Sequence, residues 1–157
     1  MSVDPYLALR VLHILGAAVL FGTGLGIAFF MFMAHRGGDP AVIAGTARTV
    51  VVADFIFTAT AVVAQPVTGT ALVFVAGHSF SDLWVHASLG LYVLTGLCWL
   101  PVVVLQMRMR RLAEAAAEAG TPLPADYHRL FQIWFFLGWP AFAAVMAIFV
   151  LMVFKPV

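Results

Sequence analysis

The chain has 157 residues, 64% hydrophobic and 10% charged, with a formal net charge of +1 and a mean hydropathy of +1.06. That composition lies far from that of soluble domains and calls for a lipid bilayer as solvent. It leaves room for about four spans of ~20–28 residues, none for a separate soluble domain, and too little charge for a nucleic-acid partner.

Asp4-Pro5 opens the first apolar run, which predicts a helix over residues 5–34. His35-Arg36-Gly37-Gly38-Asp39-Pro40 reads as its stop. The second helix is expected over residues 46–76, with Ala41 as the alternative start, deeply apolar only after Arg48 and closed by Gly77-His78-Ser79. A third, over residues 82–119, is apolar to Leu105. It then continues as a polar helix through Arg108, Arg110, Arg111, Glu114 and Glu118, projecting beyond the bilayer. Thr121-Pro122-Leu123-Pro124 turns the chain into a fourth helix over residues 125–154. The expected fold is thus all-α, a single bundle of four transmembrane helices.

Charge sets its orientation. Arg36, Arg48, Arg108, Arg110, Arg111 and Arg129 cluster on one side, against Arg10 and Lys155 on the other. The positive-inside rule puts both termini outside and the basic loops in the cytoplasm of a bacterial inner membrane. Gly22 and Gly26 form a small-xxx-small pair suited to close helix approach. Pro66, Pro101 and Pro140 each free a carbonyl that a neighbour must satisfy.

Polar groups inside the spans are the candidate site. His13 is followed one turn later by Gly16, and His86 by Gly90, at matched depth in the outer leaflet. Two facing imidazoles suit the iron of a six-coordinate haem b, and a glycine one turn away leaves room for the macrocycle. Arg10 and Lys155, on the same side, suit its propionates. The plainer reading is a pair of histidines hydrogen-bonded between helices. His78, Asp82 and His86 are spaced by four, a weaker metal-binding pattern because Gly77 and Ser79 place His78 in a turn. Asp54, a carboxylate within a span, calls for a partner. Arg108, or Arg129 with His128, is expected in that role, and a relay with Gln106 and Gln132 is the alternative. His35 reads as a solvated loop residue, and Cys98 as a small buried apolar group.

The runs HILGAAVLFGTGLGIAFFMFMAHR, ADFIFTATAVVAQPVTG and CWLPVVVLQMRMR resemble a bacterial integral membrane family catalogued as a domain of unknown function, number 2269. That likeness covers nearly the whole chain and implies no activity. His13, the segment Leu83-Trp84-Val85-His86 and Lys155-Pro156 are more distantly similar to the haem-b-binding membrane protoporphyrinogen IX oxidase family. Ser88 stands where that family has a lysine, and Leu137-Gly138-Trp139-Pro140 stands where it has Asn-Glu-x-Pro. The resemblance therefore implies haem binding more than the oxidase reaction.

The leading expectation is a b-type haem or porphyrin-binding membrane redox protein with a porphyrin or electron-transfer partner, its catalytic residues unassigned. His13 and His86 would ligate iron, flanked by Gly16, Gly90, Arg10 and Lys155. Two other classes stay open. One is a cofactor-free accessory subunit of a homo-oligomer or larger membrane complex. The other is a small transporter using Asp54 and Gln65 near the Pro66 break.

Overall fold

The computed structural model describes residues 4–156. It contains four helices long and apolar enough to cross a membrane: α1 (Pro5–Gly37), α2 (Pro40–Val75), α3 (Leu83–Ala119) and α4 (Ala125–Phe154). No strand occurs among the described residues. The architecture is the expected all-α bundle.

Local chemistry explains the boundaries. The Asp4 carboxylate accepts the Tyr6 N–H at 2.9 Å, with Pro5 in the first turn. Asp39 repeats the device on the Ala41 N–H at 2.8 Å, with Pro40 in place. α2 therefore starts at Pro40, beside the earlier of the two expected starts and six residues before 46, because Asp39-Pro40 is a helix start as well as the end of a turn. α1 runs on to Gly37, since Gly38 at φ 73° supplies the left-handed residue that closes it. Gly120, at φ 62°, does the same for α3.

α1 packs on α2, α2 on α3, and α3 on α4. α1 and α4 keep their backbones farther apart and meet through side chains, Phe21 against Phe142 and Phe149, Phe32 against Phe135, and His35 against Phe131. The bundle is thus closed along three seams and thin along the fourth. Its dense core lies at the basic end, where Met31, Ile43, Met109 and Tyr127 are fully buried. Ala44, Ala47, Ala113 and Ala116 are buried there too, and such small residues let helices approach closely. The polar part of α3 is therefore not a bare projection, since the first turns of α2 and the start of α4 are packed with it. Arg48 Nη2 reaches Glu114 Oε1 at 3.1 Å, and Arg110 Nε lies 3.8 Å from the same oxygen.

His35 is not a loop residue. The extra turn of α1 lays its ring flat on Phe131, with centroids 3.6 Å apart and planes 9° apart, beside Tyr127. The opposite end holds a smaller cluster of Val73, Trp84 and Val85. Large apolar side chains such as Val63, Phe136 and Val153 stand exposed on the outer surface, as a lipid solvent allows.

Candidate site: a cavity at an intramembrane carboxylate

α2 is not uniform. Asp54–Thr58 forms a π-helical turn, and the Ala59 N–H reaches five residues back to the Asp54 carbonyl. Such turns interrupt the α-helical ladder and recur at functional sites. About two turns beyond lies Pro66, which has no N–H for the Val62 carbonyl. The Tyr92 hydroxyl of α3 donates to that carbonyl instead.

Further along α2, Thr68 donates its hydroxyl proton to the Ala64 carbonyl at 2.8 Å and accepts from His13 Nδ1 at 2.9 Å. The Gln65 amide donates to the His13 carbonyl at 2.9 Å. Both contacts need glycine. A Cβ at Gly16 would collide with Gln65 Nε2, and one at Gly69 would lie 3.2 Å from His13 Cε1. The close approach of α1 and α2 therefore runs through Gly16 and Gly69. Gly22 meets no neighbour, and Gly26 only the ring of Phe30 on its own helix. The space in front of Gly16 holds the Gln65 amide rather than room for a macrocycle.

His86 is exposed, and its Nδ1 donates to the Asp82 carbonyl one turn earlier at 3.0 Å. In both histidines Nδ1 is the hydrogen-bonded nitrogen and Nε2 points away from that bond. They do not share a site. At 100° per residue, His86 stands roughly 180–200° round α3 from Ser88, Thr95 and Gln106, which face inward. His13 faces α2, and Gly90 has open space on the outward face with His86. Lys155 does not reach toward His13 either. Its ammonium lies 5.1 Å from the Trp84 ring and 3.4 Å from His78 Nε2, while Arg10 is exposed near the start of α1. His78 lies in the turn before α3 with Nδ1 3.6 Å from Asp82 Oδ2, and among the described residues no three such groups gather to hold a metal ion.

The intramembrane polar cluster lies elsewhere. Asp54 is 3% exposed and has no ion-pair partner among the described residues, so the expected Arg108, Arg129 and His128 do not serve it. The indole Nε1–H of Trp99 donates to its Oδ1 at 3.2 Å. Asp54 Oδ2, Thr58 Oγ1, Gln106 Oε1 and Trp134 Nε1 are all buried without a well-formed hydrogen bond, and the Thr58 hydroxyl stands beside the Asp54 carboxylate. All four residues line one cavity of about 340 Å³ between the four helices. Its walls are otherwise apolar and aromatic, including Phe21, Tyr92, Trp99 and Trp139. Gly24, Gly96 and Gly138 also line it, and a Cβ at any of them would meet no neighbouring atom. The cavity is therefore space that three helices leave by omitting a side chain.

The sequence pointed to Asp54 and Gln106 but not to Thr58, Trp99, Trp134 or the three cavity glycines. A faint signal existed: Asp54 and Thr58 stand one turn apart, and mid-span glycines recur in α1, α3 and α4.

The family model described as predicted integral membrane protein (DUF2269) matches residues 7–156. The chain belongs to this family. No curated protein and no solved structure matches it. As a DUF2269 member it is an integral membrane protein, and its chemistry has to be read from the cavity.

Proposed function

We propose that the protein binds a small lipophilic molecule within the bilayer, with the polar head of the guest received by Asp54, Thr58 and Gln106. One observation carries this reading: the unpartnered buried atoms of these residues border a single, otherwise apolar cavity. A buried polar atom without a partner costs about 1–3 kcal/mol, and hydrocarbon offers no water to relieve it. Several at one cavity point to a guest that completes their bonding. At about 340 Å³ the cavity is at the small end of ligand pockets, which run from ~300 to ~1,000 Å³. The charge asymmetry supports both termini outside in a bacterial cytoplasmic membrane, which sets Asp54 in the half of α2 nearer the cytoplasm.

The test is equilibrium dialysis of the detergent-purified protein with 4-butylphenol, a neutral probe with a hydrogen-bonding head and an apolar tail. Saturable 1:1 binding is expected. Gly138→Leu and Gly24→Leu should weaken it at least about tenfold, or about 1.4 kcal/mol, because a side chain there grows into open space. Binding that never saturates, or that ignores both variants, overturns the reading.

Haem b ligation is a separate proposal, supported by the free Nε2 atoms of His13 and His86. Because the two rings lie on different faces, it requires a second chain or a rearrangement to bring them together.

A further inference from the structure

We propose that the guest of the Asp54 cavity is a lipophilic cation, an alkyl or aryl ammonium, taken up in exchange for a proton on Asp54. The proposal rests on the cavity being a binding site and names what it selects.

A carboxyl at this depth must be neutralised, either by a proton or by a cation. Among the described residues no cation pairs with it. Arg48 and Arg110 are committed to Glu114, and Lys155 lies against Trp84 and His78. The Trp99 indole donates to Oδ1, the Thr58 hydroxyl stands beside the carboxylate, and Oδ2 has no well-formed hydrogen bond. Gln106 Oε1, on a residue only 1% exposed, is a second acceptor with no donor. Two buried acceptors without a well-formed hydrogen bond, in one apolar cavity, suit a positively polarised head group.

The walls agree. Tyr92, Trp99, Trp134 and Trp139 present aromatic groups around the cavity, and ring faces attract ammonium groups while tolerating apolar substituents. Tyr92 is the one other titratable lining residue, and its hydroxyl is held on the Val62 carbonyl. α1 and α4 contribute no charged or titratable group to the lining. Exchange therefore centres on Asp54 alone. Leu25 and Phe142 line the cavity and are 50% and 40% exposed on the lipid surface, so the thin α1–α4 seam is an entrance from the bilayer. The step balances simply. The O–H bond of the Asp54 acid breaks, its proton leaves to water, and the arriving cation keeps the site neutral.

The experiment titrates benzyltriethylammonium into the purified protein in weakly buffered detergent, with a pH indicator present and 4-butylphenol as the uncharged comparison. Expected are about one proton released per cation bound and a cation Kd that weakens up to about tenfold per unit fall in pH. Phenol binding should be indifferent to pH. Asp54→Asn should abolish both cation binding and proton release. If that variant does not fold, proton release by the wild type decides. Cation binding without proton release, or phenol binding alone, overturns the cation proposal and leaves the cavity as a neutral-ligand site. Failure of both probes overturns the cavity reading itself.

Discussion

The Tyr92 hydroxyl donates to the carbonyl of Val62, the backbone group that Pro66 leaves without its helical donor. Proline and tyrosine lie on different helices, yet they form one unit: the first opens the ladder of α2 and the second closes the gap from α3.

Tyr92→Phe should destabilise the bundle by about 1 kcal/mol, the usual scale for an interhelical hydrogen bond in a membrane. Pro66→Ala restores an N–H for Val62, so the same tyrosine substitution in that background should cost less. Unfolding curves of the four proteins in mixed detergent, read as a double-mutant cycle, check this. Equal costs in both backgrounds would uncouple the pair.

Gly16→Ala puts a methyl group where the Gln65 amide sits. The displaced amide loses the His13 carbonyl, and the expected cost is about 1–3 kcal/mol. Gln65→Ala makes room for the methyl, so the double variant should be no less stable than Gln65→Ala alone. Thermal melts of the three variants test it.

Glu114 holds Arg48 and Arg110 at the basic end, where Arg48 is 67% exposed. Such a pair is hydrated and screened, so Arg48→Ala should change stability by less than about 1 kcal/mol, and by less still in high salt. A larger, salt-independent loss would show that the pair is shielded from water in the membrane.

His13 and His86 occupy different faces, so visible spectra of the protein expressed with ample haem should show no absorption band that both His13→Ala and His86→Ala abolish. Loss of one Soret band in either variant would mean that assembly brings the two imidazoles to one iron.

Aggregate properties were legible in the chain. Long apolar runs forced four spans, and Gly120 and Asp4-Pro5 marked ends that the helices observe. The polar helix expected through Arg110 and Glu114 formed, and the carbonyl expected to be freed at Pro66 is the one Tyr92 meets. The sequence leaves two starts open for α2, at Ala41 and Thr46, because Asp39-Pro40 serves equally as a turn and as a helix opening, and the structure takes the earlier. His35 was misread because its partner, Phe131, is nearly a hundred residues away in sequence.

The candidate site divides in the same way. Composition and periodicity determine that the chain is a helical membrane bundle and that Asp54, Gln106, His13 and His86 lie within its spans, because hydropathy is a property of local sequence. Which of them meet is decided only by how the helices are rotated and paired. In a bilayer that choice rests on contacts between small and polar residues rather than on hydrophobic burial. Here Gly16 and Gly69 turn His13 toward Thr68, and the outward face of α3 carries His86 away from it. Three unfilled glycine positions then open a cavity beside Asp54.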